Sequence, residues 1–131
     1  QLVDQVSPEH LEKIRRALPA VKLIQVVHVT GEASIDEAVT VSPWVDMVLL
    51  DSGKPDATLK TLGGTGDTHD WQVSREIVRR LTCPVILAGG LNPGNVIEAI
   101  RRVRPYGVGG GKGSVWMSDK DAKFHMRAGF Y

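Results

Sequence analysis

The run VDMVLLD, Val45–Asp51, carries four successive apolar residues between two acids. A strand with one face in water would alternate apolar and polar residues. A near-continuous apolar run is the pattern of a strand covered on both faces. Two other runs read as strands: VKLIQVVHV (Val21–Val29), rich in β-branched residues, and CPVILAGG (Cys83–Gly90), which ends in glycines. The segments between them carry helix signals. Ser7 can cap a helix with Pro8 at its first position and Glu9 at its positive end; Leu11, Ile14 and Leu18 follow at helical spacing, and Pro19 closes it. Ser34–Val41 has Ser34 as a cap with Glu37 three residues on. Trp71–Leu81 presents Val73, Ile77 and Val78 on one side, and Asn92–Val103 opens with Asn92 as cap and Pro93 as first helical residue. Gln1-Leu2-Val3 reads as the end of a further strand, Ser52–Asp70 as loop, and the glycine-rich Tyr106–Gly113 as a poor strand.

Strand–helix alternation predicts an α/β fold with a parallel sheet and covering helices. An open sheet and a closed (β/α)8 barrel both satisfy it, but a complete barrel takes ~250 residues and the chain has 131. The expectation is one domain over residues 1–131, with residues 119–131 as an atypical tail in which Ala122, Phe124 and Met126 form no convincing helix stripe. The chain opens without Met and inside an element, which reads as a fragment or a processed chain. A formal net charge of +1 gives no argument for nucleic-acid binding. No apolar run approaches ~18 residues, which speaks against a membrane partner. The one cysteine, Cys83, allows no intrachain disulfide and fits a reducing, cytoplasmic setting.

Candidate chemistry is concentrated at strand ends. Asp51 terminates an apolar strand, where a carboxylate either does acid–base work or organises a loop; spacing alone leaves both open. Asp46, at the other end, reads as structural. Glycine clusters Gly64-Thr65-Gly66 and Gly89-Gly90 allow backbone N–H groups to converge on an anion, or serve only as tight turns. His28, near the end of its strand, is within reach of the same rim but reads first as structural, and His69 reads as an exposed loop group. Cys83 begins a strand and reads as a buried, unreactive thiol. No set of His, Cys and carboxylates has metal-ligand spacing.

Three blocks, LLDS (Leu49–Ser52), GGTG followed by HDW (His69–Trp71) and LAGGLNPGNVIEAI (Leu87–Ile100), stand in the order and spacing of the phosphoribosylanthranilate isomerase family. Residues 1–118 resemble the C-terminal part of that family, Gln1-Leu2 matching the end of its VQLHG strand. The resemblance implies a partial (β/α)8 TIM barrel, from the end of strand four through strand eight. It also implies an Amadori rearrangement of a phosphorylated sugar–anthranilate substrate, in tryptophan biosynthesis and without metal or organic cofactor. It makes Asp51 the general acid, and Gly89, Gly90, Gly111 and Gly113 phosphate contacts, with Asn92 beside them. The family's general-base Cys and a substrate-binding Arg would both precede Gln1.

The sequence departs from the family at GVGGGKGSV, Gly107–Val115, where the family reads GVDVSSGVE. Gly109 replaces an Asp that helps position substrate, and Lys112 enters as a compensating phosphate partner or a solvated side chain. Besides an isomerase supplying only its acid and phosphate half, two readings stay open. One is a non-catalytic sugar-phosphate-binding module. The other is a fragment completed by self-association or by a complementing chain, because a half-barrel exposes strand edges.

Overall fold

The computed structural model describes residues 1–52, 66–110, 114–118 and 124–128, with side chains for 1–52 and 71–109. In chain order the elements are α1 (Pro8–Ala17), β1 (Ile24–His28), α2 (Ala33–Val41), a short 3-10 turn (Ser42–Trp44), β2 (Met47–Asp51), α3 (Gly66–Arg80), β3 (Val85–Ala88), α4 (Val96–Val103), β4 (Gly107–Gly110), β5 (Ser114–Ser118) and β6 (Phe124–Ala128). They form one six-stranded sheet in sequential order. β1 to β4 pair in parallel, as the alternation predicts. Leu2 lies beside β1 in a single parallel bridge to Gln25, so the chain's first residues do continue the sheet.

The parallel register lines up a row of apolar side chains. Val27 pairs with Leu50, Leu50 with Leu87, and Leu87 with Val108. All four are buried, and they pack with Leu11 of α1, Ile77 of α3, and Ala99 and Val103 of α4. Each such side chain contributes about 1.5–3 kcal/mol on leaving water. Because side chains alternate along a strand, the flanking rows point to the other face: Val26, Leu49 and Ile86, and beyond them His28, Asp51 and Ala88. One row therefore holds the helices on, and the row that ends the strands carries the polar groups.

Several local expectations need correction. Ser34 is not a helix cap: α2 begins at Ala33 with Glu32 at the cap position, and no side-chain cap or capping box with Glu37 forms. The buried Ser34 hydroxyl instead accepts the Thr30 N–H at 3.0 Å and donates to the His28 carbonyl at 3.2 Å. Asn92 is not the cap of α4 either. The Asn92 carboxamide folds the preceding turn, accepting from the N–H groups of Gly94 and Asn95, and helical geometry starts only at Val96. α3 starts at Gly66, so residues 66–70 are helical rather than loop, and His69 lies in that helix. The tail is not merely atypical. β4 pairs antiparallel with β5, and β5 antiparallel with β6. Phe124, Met126 and Ala128 recur at every second position, a strand period that a search for a helix stripe passes over. Ser7 and Pro8 do start α1, with the Ser7 hydroxyl accepting the His10 N–H.

Asp46 anchors the strand starts. Its carboxylate takes both guanidinium N–H groups of Arg15, at 3.0 and 3.1 Å, and the Leu23 N–H at 2.8 Å. The Arg15 bonds, with the Leu23 N–H, lower its pKa to about 2. A depressed carboxylate pKa stabilises the fold above the unfolded value, and that stability is lost as pH falls through the folded one. Arg15 is two-fifths exposed, so screening limits the pair. Asp46→Asn should cost about 1 kcal/mol at pH 7, with the gap to the parent closing between pH 4 and pH 2. Urea unfolding of both proteins across that range measures it.

Candidate functional site

β1, β2 and β3 end on one rim, and the register fixes which groups meet there. Asp51, the last residue of β2, pairs with His28 of β1 on one side and with Ala88 of β3 on the other. His28 Nδ1 lies 3.5 Å from Asp51 Oδ2, with the Asp51 side chain about a third exposed and that of His28 over half exposed. The rim thus places a carboxyl and an imidazole side by side and open to water.

The next step along the rim is a glycine turn. Gly89 and Gly90 both have left-handed backbone, at φ 83° and 65°, a conformation costing a side-chain-bearing residue roughly 1–2 kcal/mol. Their carbonyls are tied down from both sides. Ser52 Oγ donates to the Ala88 carbonyl at 2.8 Å and to that of Gly89 at 3.2 Å, and the Ser52 N–H also reaches Ala88. Asn95 Nδ2 donates to the Gly90 carbonyl at 3.0 Å, while Asn95 Oδ1 accepts the Asn92 N–H. Among the described residues neither glycine amide donates a hydrogen bond. The two glycines follow directly on the strand end that pairs with Asp51. Asn92 serves here by folding the turn.

Gly109 of β4 completes the rim row. A Cβ built there would meet that of Ala88 at 3.3 Å, so a larger residue at position 109 requires the Ala88 side chain to give way slightly. The structure therefore brings Asp51, Gly89, Gly90 and Gly109 onto one rim. Gly64, Thr65, Gly111, Lys112 and Gly113 lie outside the described residues, and of Gly66 only its place at the start of α3 is described. Sequence reading missed Ser52 and Asn95. Their signal was positional, a hydroxyl directly after the strand-ending acid and a second carboxamide three residues beyond Asn92.

The remaining titratable groups sit apart or support the rim. Burial pushes the Glu37 carboxyl of α2 up, opposed by the charge of His28. Cys83, before β3 and so at the opposite end of the strands, is half-buried, and burial raises its thiol pKa, which disfavours the reactive thiolate. Among the described residues no group of three or more His, Cys, Asp or Glu could hold a metal ion. No described helix is long and apolar enough to cross a membrane.

Residues 4–111 match the family model described as N-(5'phosphoribosyl)anthranilate (PRA) isomerase. The chain belongs to the phosphoribosylanthranilate isomerase family. An N-(5'-phosphoribosyl)anthranilate isomerase of Methanocella arvoryzae is 44% identical over 108 residues, covering 82% of this chain and 48% of the relative. A second, from Methanosarcina mazei, is 41% identical over 113 residues, covering 86% and 49%. Among solved structures, the phosphoribosyl anthranilate isomerase of Thermotoga maritima superposes with TM-score 0.57 at 33% identity, over 75% of this chain and 44% of that one. The Pyrococcus furiosus enzyme gives 0.55 at 29% identity, over 78% and 45%. The chain thus spans about half the length of the phosphoribosylanthranilate isomerases it matches.

Gly90→Ala tests the turn. The open space around position 90 admits a methyl group, so the expected loss of roughly 1–2 kcal/mol comes from backbone strain alone. A denaturant midpoint unchanged from the parent would contradict a left-handed residue 90.

Proposed function

We propose that this chain is the acid- and phosphate-bearing half of a phosphoribosylanthranilate isomerase barrel. The reaction is an Amadori rearrangement of N-(5-phosphoribosyl)anthranilate to 1-(2-carboxyphenylamino)-1-deoxyribulose 5-phosphate, an isomerase step of tryptophan biosynthesis. In this reading β1 to β4 are strands five to eight of a (β/α)8 barrel within a single domain of residues 1–131. The observation that supports it most is the pairing of Asp51 with Ala88, which sets a carboxyl next to the Gly89–Gly90 amides. Catalytic groups of such barrels sit at the strands' C-terminal ends.

Asp51 protonates the ribose ring oxygen as the ring opens, and the resulting iminium acidifies the C2' proton. The Gly89 and Gly90 amides hold the phosphate, and helix-start and nest N–H groups suit a dianion without side-chain charge. Gly64, Thr65, Gly66, Gly111, Lys112 and Gly113 extend that contact in this reading, with Asn92 and Asn95 shaping the turn. The base that removes the C2' proton comes from the complementary half of the barrel. That half also pairs with the sheet at its β1 edge. Alone, the chain is expected to self-associate through its sheet edges, and sedimentation velocity at micromolar concentration showing a single monomeric species would count against this.

The activity test supplies the complementary half of the barrel. Coexpression with the N-terminal half of the Methanocella arvoryzae relative should give fluorescence-monitored turnover of N-(5-phosphoribosyl)anthranilate. The 131-residue chain by itself should give none. Asp51→Asn in the assembled protein should lower kcat by about 10²–10⁴-fold. Ligand binding without turnover, even after assembly, would favour a sugar-phosphate-binding module. The glycine at position 109, where the family has Asp, gives that reading its support.

A further inference from the structure

The isomerase reading gives Asp51 a proton to donate, and each turnover must return one. On that reading, we propose that His28 is a positioning residue that reloads Asp51 by relaying a solvent proton through its ring.

The hydrogen bonding of the ring carries the argument. His28 Nε2 lies 3.3 Å from the Val3 carbonyl oxygen. A carbonyl only accepts, so Nε2 carries hydrogen in this contact. In the neutral ring Nδ1 is then the bare nitrogen, and it is Nδ1 that faces Asp51 Oδ2 at 3.5 Å. The contact is longer than a formed hydrogen bond; such pairs tighten when substrate is bound. The wrong tautomer would turn an N–H toward a protonated carboxyl and stop the transfer.

The surrounding structure fixes the ring's two neighbours. Gln25 Nε2 donates to the carbonyls of Leu2 and Asp4, at 3.2 and 2.9 Å, which holds Val3 between two anchored residues. Ser34 Oγ donates to the His28 carbonyl, fixing the backbone that bears the ring. Among the described residues, the charged groups acting on His28 are Asp51 from β2 and, at longer range, Glu37 from α2. The ring side chain is 55% exposed, so water reaches it directly.

The cycle balances. Asp51 gives its proton to the ring oxygen as the C–O bond breaks and is left as a carboxylate. His28, protonated on Nδ1, passes that proton to Asp51 Oδ2 and becomes neutral, keeping its Nε2 hydrogen on Val3. Nδ1 then takes a proton from solvent, balanced by the C2' proton that the base releases to solvent.

Long-range 1H–15N spectra of histidine-labelled protein, parent and Asp51→Asn, test the pair without any need for turnover. The expected result is that the neutral form of the His28 ring carries its hydrogen on Nε2 and that the Nδ1 resonance shifts in the variant. Hydrogen on Nδ1 in the neutral ring, or ring nitrogens indifferent to Asp51→Asn, overturns the relay. In the assembled protein, His28→Gln should lower kcat roughly 10-fold with KM unchanged, less than the ~10²–10⁴ of a group acting on substrate directly. Imidazole in the buffer should restore part of the rate to His28→Gly. Full activity in His28→Gln also overturns the relay. If the assembled parent itself shows no turnover, the isomerase reading fails, while the spectra still decide the His28–Asp51 pair.

Discussion

The parallel register of β1, β2 and β3 is the constraint on which the site depends. It is held from two ends. The buried row Val27–Leu50–Leu87–Val108 fixes which residues face the helices, and a slip of one residue would turn that row outward. The Asp46 carboxylate ties α1 and the start of β1 to the start of β2. With both fixed, strand length alone delivers His28, Asp51 and Ala88 to one rim. The packing that stabilises the sheet and the placement of its chemistry are a single property of the sequence.

Much of this was legible from the residues. The apolar run Met47–Leu50 announced a strand, and Asp51 at its end announced the rim. Ser7-Pro8 gave the start of α1 because cap and first-turn preferences are local. Local rules failed where a polar side chain had a better partner elsewhere. Ser34 has cap chemistry, but its hydroxyl is used to join α2 to the end of β1. Asn92 has the same chemistry and is used to fold a turn whose last residue, Asn95, stands at the cap position. The pairing of His28 with Asp51 depends on register between strands that are 23 residues apart, so no window along the chain could reveal it.

The C-terminal segment shows a different limit. Glycines at 107, 109 and 110 argued against a strand, since glycine adds no side-chain packing. Parallel pairing to β3 on one side and antiparallel pairing to β5 on the other nonetheless complete β4. Backbone pairing from both sides replaces what the side chains do not supply. This arrangement departs from strand–helix alternation, and it puts an antiparallel partner on the β4 edge.

In the proposed function the Asp51 carboxyl and the Gly89–Gly90 amides belong to one anionic-sugar site. Titration of 15N-labelled chain with ribose 5-phosphate, followed by amide spectra, tests it most directly. The largest shifts are expected on Gly89 and Gly90, with His28, Asp51 and Ser52 moving in parallel at one saturating concentration. Shifts confined to the helices, or glycine amides that stay still while the sugar phosphate saturates elsewhere, would contradict it.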